Sequence, residues 1–210
     1  MNDWGMTEKE YGLLRSLSTP EKIQDFLDEL PRNNEKNGHT CASPRTVLRE
    51  EKAHCIEGAY LAALALWIHG ERPLLLDLKA SMGDDDHVVA LYKRNGYWGA
   101  ISKTNHSVLR YRDPIYRTVR ELALSYFHEY FLLSDGRKTL RSYSRPFSLK
   151  RFGTEWITQE DDLWEIASEL DQSKHFPLIP SGSEHFLRNA GEIERKAAGI
   201  SEWPLKDPRT

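Results

Sequence analysis

One stretch of the chain is apolar nearly all the way round. From Ile56 to Ile68 only Glu57 and Gly58 interrupt a run of alanine, leucine, tyrosine and tryptophan. A segment that is hydrophobic at every angle of the 3.6-residue period predicts a helix buried on several sides, at the centre of a domain. Gly70 ends it. Upstream, Tyr11, Leu14 and Leu17 share one side of a short helix over 8–17. Thr19 and Pro20 then supply the cap and first residue of a second helix, whose Ile23, Phe26, Leu27 and Leu30 recur at helical spacing until Pro31. Residues 32–43 are polar and irregular, a surface loop. Ser43-Pro44 opens another helical segment that reads in two ways. It is either one helix from Pro44 to His69, or a short helix to Glu51, a turn, and a new helix beginning near Cys55.

After Gly70 the pattern shortens to that of strands. Arg72–Leu78 is a strand centred on three leucines, the aspartate-rich loop 79–86 follows, and His87–Tyr92 is a second strand. Lys93-Arg94-Asn95-Gly96 is a hairpin signal, with Tyr97–Lys103 as the return strand. Together these predict an antiparallel sheet of at least three strands against one buried helix. Pro114–Phe131 reads as a long amphipathic helix with Val119, Leu122, Ala123, Tyr126, Phe127 and Tyr130 on its inner face. Beyond it, 139–152 has weak strand character, and 161–170 and 184–198 read as helices. The expected class is α+β in a single domain over 1–210. Its parts are N-terminal helices and loop (1–43), a core (44–131) and a C-terminal helical extension (132–210).

Composition narrows the function classes. With 39% hydrophobic and 29% charged residues, the chain has the balance of a folded globule. A net charge of -3 predicts no attraction to nucleic acid or an anionic membrane surface. The longest apolar run is too short to cross a bilayer, and Met1-Asn2-Asp3-Trp4 lacks signal-peptide character, so a cytoplasmic protein is expected. The two cysteines, Cys41 and Cys55, are therefore expected as free thiols. No Cys-x-x-Cys or His-x-x-x-His spacing is present, and Asp84-Asp85-Asp86 lacks the alternation of a calcium loop. No metal and no cofactor are expected.

Cys55 and His87 carry the candidate chemistry. A thiol at the head of a buried helix gains from the aligned backbone dipoles, which favour thiolate, and a histidine leading a nearby strand supplies a base. In order, the chain presents Cys55-Ile56-Glu57-Gly58-Ala59 on the apolar helix and a short strand. Asp86-His87-Val88-Val89 follows on the next strand, and Gly96-Tyr97-Trp98 at the hairpin return. That order, over roughly residues 44–105, resembles the transglutaminase-like branch of the papain-fold thiol enzymes. The resemblance implies a papain/transglutaminase-like core with Cys55 as nucleophile, His87 as general base and a polar residue orienting the imidazole. The family places an aspartate a few residues after its tryptophan. Here the chain reads Gly99-Ala100-Ile101-Ser102-Lys103-Thr104-Asn105, so Asn105 is favoured for that role, with Ser102 as the rival.

The expected activity is thiol hydrolysis or acyl transfer on an amide or peptide bond. The alternative is an inactive fold of the same kind used as a protein- or ligand-binding module. Arg110 and Arg112, alternating with Leu109 and Tyr111, are candidates to clamp a substrate carboxylate, with Trp98 as a further substrate contact. Asn33 or Asn34 is a candidate oxyanion donor beside the Cys55 N–H. Glu57 reads as a structural carboxylate. His54 reads as a poor base, because neighbours on a helix do not face one another. Cys41 is expected to play no chemical role.

Overall fold

A computed structural model describes residues 4–35 and 38–203. In chain order the elements begin with α1 (Glu8–Ser16), α2 (Pro20–Glu29), α3 (Pro44–Glu50) and α4 (Cys55–Ile68). The first sheet strands follow: β1 (Leu74–Ala80), β2 (His87–Arg94), β3 (Tyr97–Ile101) and β4 (Arg112–Tyr116). Then come α5 (Val119–Tyr126), β5 (Leu140–Ser144), β6 (Phe147–Ser148), α6 (Trp164–Asp171), β7 (His175–Pro177) and α7 (Glu192–Ala198). The class is mixed α+β. Among the described residues the strands form one seven-stranded sheet ordered β4-β3-β2-β1-β5-β7, with β6 also paired to β1, and the strand pairs within it are antiparallel. No helix among the described residues is long and apolar enough to cross a membrane.

The helix between Pro44 and His69 is broken. Glu51 takes a left-handed conformation with φ 51° and stops α3, so α4 starts afresh at Cys55 with His54 as its extended N-cap. At the hairpin, Asn95 and Gly96 both have positive φ (51° and 85°), the geometry that suits the strand twist. On β2, Val88, Ala90 and Tyr92 pack with α4, while Val89 and Leu91 belong to a second cluster with Leu122, Ala123 and Tyr126 of α5. Both faces of the central strands are thus covered, and this explains their unbroken apolar runs. The expectation of one buried helix covering the sheet misses this second layer.

Three expected elements differ. Pro114 lies in the edge strand β4, where a missing N–H is tolerated. The helix expected over 114–131 begins only at Val119, fixed by a capping box between Thr118 and Glu121. The stretch 184–198 is helical in α7 only over Glu192–Ala198, preceded by a single short turn, Glu184–Phe186. The region 132–210, expected as a helical extension, contributes β5, β6 and β7 to the same sheet. Short strands paired through tertiary contacts carry little local periodicity.

Gly58 is a packing requirement of α4. A Cβ there would sit 2.5 Å from Cβ of Lys103, whose buried chain crosses the helix to donate to the carbonyls of Leu27 (2.8 Å) and Leu30 (2.5 Å). Burial holds the Lys103 ammonium below its ordinary pKa. Gly58→Ala is expected to destabilise the fold by about 1–3 kcal/mol through overpacking, despite alanine's better helix propensity. Urea denaturation of the two proteins checks this, and an unchanged or raised midpoint would contradict the crowding.

Candidate active site

α4 delivers Cys55 as its first helical residue, half-buried, at the point where the first-turn N–H groups have no partner within the helix. β2 delivers His87 as its first residue, buried, in a register that sets Leu78 opposite it. The two meet in a cleft of about 710 Å³ that both line. Tyr130, Phe131, Leu133 and Trp164 line part of the same cleft, and Glu35 and Asp84 to Asp86 bring acidic groups to it.

His87 is oriented by Ser102. Its Nε2 lies 2.8 Å from Ser102 Oγ, and Ser102 Oγ itself donates to the Leu109 carbonyl at 2.5 Å. Because the hydroxyl proton is committed to that carbonyl, the oxygen accepts from His87, which places the imidazole proton on Nε2. Nδ1 is then the nitrogen with a free lone pair for the thiol. Leu109 reaches this position with a left-handed backbone (φ 60°), and its N–H donates to Glu129 at 2.9 Å. The group that meets the imidazole is thus a serine backed by a peptide carbonyl.

Asn105, favoured from sequence, does not orient His87. Its amide is paired with backbone of the C-terminal segment, donating to the Trp203 carbonyl (3.0 Å) and accepting from the Trp203 N–H (2.9 Å). It lies three residues past Ser102, beyond the end of β3, where the chain has left the sheet. The arginines are likewise engaged. Arg110 pairs with Glu202 (2.9 Å) and Asp28 (3.6 Å), and Arg112 with Glu129 (2.6 Å) while stacking on Tyr126. Trp98 lies under Lys93 on the hairpin, 4.2 Å from its ammonium. Neither arginine, nor Trp98, nor Asn34 lines the cleft. Asn33 is turned to Glu57, so its amide is not an oxyanion donor.

His54, discarded by helix-face reasoning, lies beside the thiol. As an N-cap its backbone is extended (φ -103°, ψ -171°), so the rule for helix neighbours does not apply, and its Nδ1 lies 4.0 Å from Cys55 Sγ. Its Nε2 donates to the Thr40 carbonyl at 2.9 Å and sits 3.4 Å from Glu57 Oε1. Burial opposes a charge on His54, but Cys55, Glu57 and the Thr40 carbonyl outweigh it and hold the imidazole up to about 9. Burial also pushes the Cys55 thiol up. Hydrogen bonds and charge from His54 and His87 overcome it and bring that thiol down to about 5. Cys41 is the opposite case: burial, opposed only weakly by Tyr60 at 3.7 Å from its sulfur, drives it up to about 12.

Glu57 anchors this arrangement. Fully buried, it accepts from the His54 N–H (2.9 Å), the Ala42 N–H (3.0 Å), Thr40 Oγ1 (2.7 Å) and the Asn33 amide (3.1 Å). Its structural reading from sequence matches this geometry, and nothing about its spacing announced the partners. Compared with known proteins, the chain matches no protein-family model and no curated sequence.

The two thiols should separate cleanly by alkylation. Cys55 is lowered, so its thiolate forms as pH rises through about 5, and His54 stays protonated until about 9. The ion pair exists between those values, with its stabilisation lost below the first and above the second. Iodoacetamide labelling followed by peptide mass spectrometry is expected to modify Cys55 with a half-maximal rate near pH 5 and to leave Cys41 intact. In His54→Ala the rate at pH 6 should fall about tenfold or more as the thiol moves back toward its ordinary pKa.

Proposed function

We propose that the chain is a thiol enzyme with a papain/transglutaminase-like core, acting on amide or peptide bonds through Cys55. The observation that carries this reading is the joint placement of one thiol. It heads a buried helix, His54 and His87 both favour its thiolate, and Ser102 fixes the tautomer of His87. A structural cysteine requires none of these, and Cys41 has none.

The Cys55 thiolate attacks the amide carbonyl carbon, and the developing oxyanion faces the unpaired N–H groups at the start of α4. His87 Nδ1 takes up the proton that the Cys55 thiol gives up on forming the thiolate, and passes it to the leaving amine nitrogen as the C–N bond breaks, leaving a thioester on Cys55 and a neutral imidazole. Water then attacks the thioester for hydrolysis, or a second amine does for transfer. His54, held by Glu57 and the Thr40 carbonyl, keeps the resting thiolate charged while His87 handles the proton. The chain lacks the family's aspartate after Trp98, and the Ser102 hydroxyl at His87 Nε2 supports the enzyme reading without it.

The test uses p-nitrophenyl acetate, an activated acyl donor that needs no specific recognition. A burst of nitrophenolate and an acetyl group on Cys55, located by mass spectrometry, are expected for the native protein and absent in Cys55→Ala. His87→Ala should slow acylation by about 10²–10⁴-fold. Ser102→Ala should slow it by about tenfold or more, through the loss of a fixed tautomer. A native protein that shows no burst and no acyl-cysteine would leave the binding-module reading standing instead.

A further inference from the structure

A second, smaller cavity of about 200 Å³ is lined by Cys55 and by Asp77, Asp86 and Asp171. One carboxylate oxygen from each aspartate lies within 4.8 Å of the other two. Three such groups in proximity repel, and on an open surface they would mean nothing. Asp77 is different. It is only 3% exposed, and its Oδ1 is shut off from solvent without a hydrogen-bond partner. A buried carboxylate oxygen left without a donor costs several kcal/mol in order of magnitude unless a positive charge meets it.

The cations already present fall short. His175 Nε2 reaches the other Asp77 oxygen at 3.1 Å, and Lys79 reaches Asp171 at 2.5 Å. Even with His175 protonated, one negative charge stays uncompensated, and Oδ1 of Asp77 still has no donor. Asp86 spends one oxygen on the Ala80 N–H (2.7 Å), leaving its other for a ligand. Metal–oxygen bonds of about 2.1–2.6 Å keep two ligands of one ion no more than about 4.2–5.2 Å apart, and these oxygens all lie within 4.8 Å of one another. The donors are all hard oxygens.

We propose that Asp77, Asp86 and Asp171 form a binding site for a hard divalent cation such as Mg²⁺, Mn²⁺ or Ca²⁺. The cation joins β1, the loop before His87 and the C-terminal end of α6. Trp164 and Ala167 of α6 line the substrate cleft, so the ion fixes one wall of that cleft to the sheet that carries His87. Lys79, on an exposed side chain, swings off Asp171 when the ion enters. The site does not depend on the thiol chemistry and is tested without it.

Electron paramagnetic resonance of Mn²⁺ with the whole chain reads binding directly, since the free-ion signal disappears on coordination. One Mn²⁺ per chain is expected. Thermal melting should shift upward by about 5 °C at a large excess of ion over its dissociation constant, with no shift in NaCl of matched ionic strength. Asp171→Asn, at an exposed position, should weaken binding at least tenfold while remaining folded, and Lys79→Ala should tighten it severalfold by removing a competing cation. Asp85→Asn, on the adjacent acidic turn but outside the cluster, should leave binding unchanged. A free Mn²⁺ signal undiminished in both the native protein and Lys79→Ala overturns the proposal. Equal loss in Asp85→Asn and Asp171→Asn, which would mark diffuse surface binding, does so as well.

Discussion

The fully buried carboxylate of Glu57 is the interaction on which the site depends. A carboxylate removed from water needs its lone pairs filled, and here two backbone N–H groups, a threonine hydroxyl and an asparagine amide fill them. These donors come from Asn33, Thr40 and Ala42 on the loop and from His54 at the head of α4. One buried charge therefore gathers the loop before α3 onto the N-terminus of the central helix. That gathering sets the Thr40 carbonyl against His54 Nε2, and so turns Nδ1 toward Cys55.

A negative charge two positions from a thiol would by itself suppress the thiolate. The arrangement resolves the conflict by interposing a cation. His54 stands between Glu57 and the sulfur, raised by both, so the carboxylate stabilises the imidazolium and the imidazolium stabilises the thiolate. His87 is left to a different task, with its proton fixed on Nε2 by Ser102. In the proposed mechanism, two histidines beside one thiol divide charge stabilisation from proton transfer. The same chain carries Cys41 at about 12 and Cys55 at about 5, with burial raising both. What separates them is the pair of imidazoles at only one of them.

The parts of this plan legible beforehand were those with strong local signals. The apolar run of α4, the caps at Thr19 and Ser43, and the Asn95-Gly96 turn each act over a few residues, and each lies where expected. The strands after residue 132 were harder to read, since β5, β6 and β7 are held by pairing to β1 and to one another rather than by their own pattern. Within the site, Cys55 and His87 were readable because a thiol at a helix start and a histidine at a strand start are local facts. Ser102 and Asn105 were not separable, because which one meets an imidazole fifteen or more residues away depends on where β3 ends.

By itself the sequence determined the α+β class, the buried helix with its thiol, the strand with its histidine and the hairpin between the sheet strands. All of these follow from periodicity, capping and turn chemistry acting over a few residues. Only the tertiary structure decided that α4 begins at Cys55, that His54 faces the sulfur, that a peptide carbonyl at Leu109 completes the support of His87, and that Asn105 holds the C-terminal segment. Each of these is a contact between groups distant in the chain, or a backbone angle imposed by such contacts. Hydrogen-bond direction and pKa depend on distances of a few ångströms, and those are set only when the layers have packed. The thiol was a candidate from its position in the chain; its protonation state belongs to the fold.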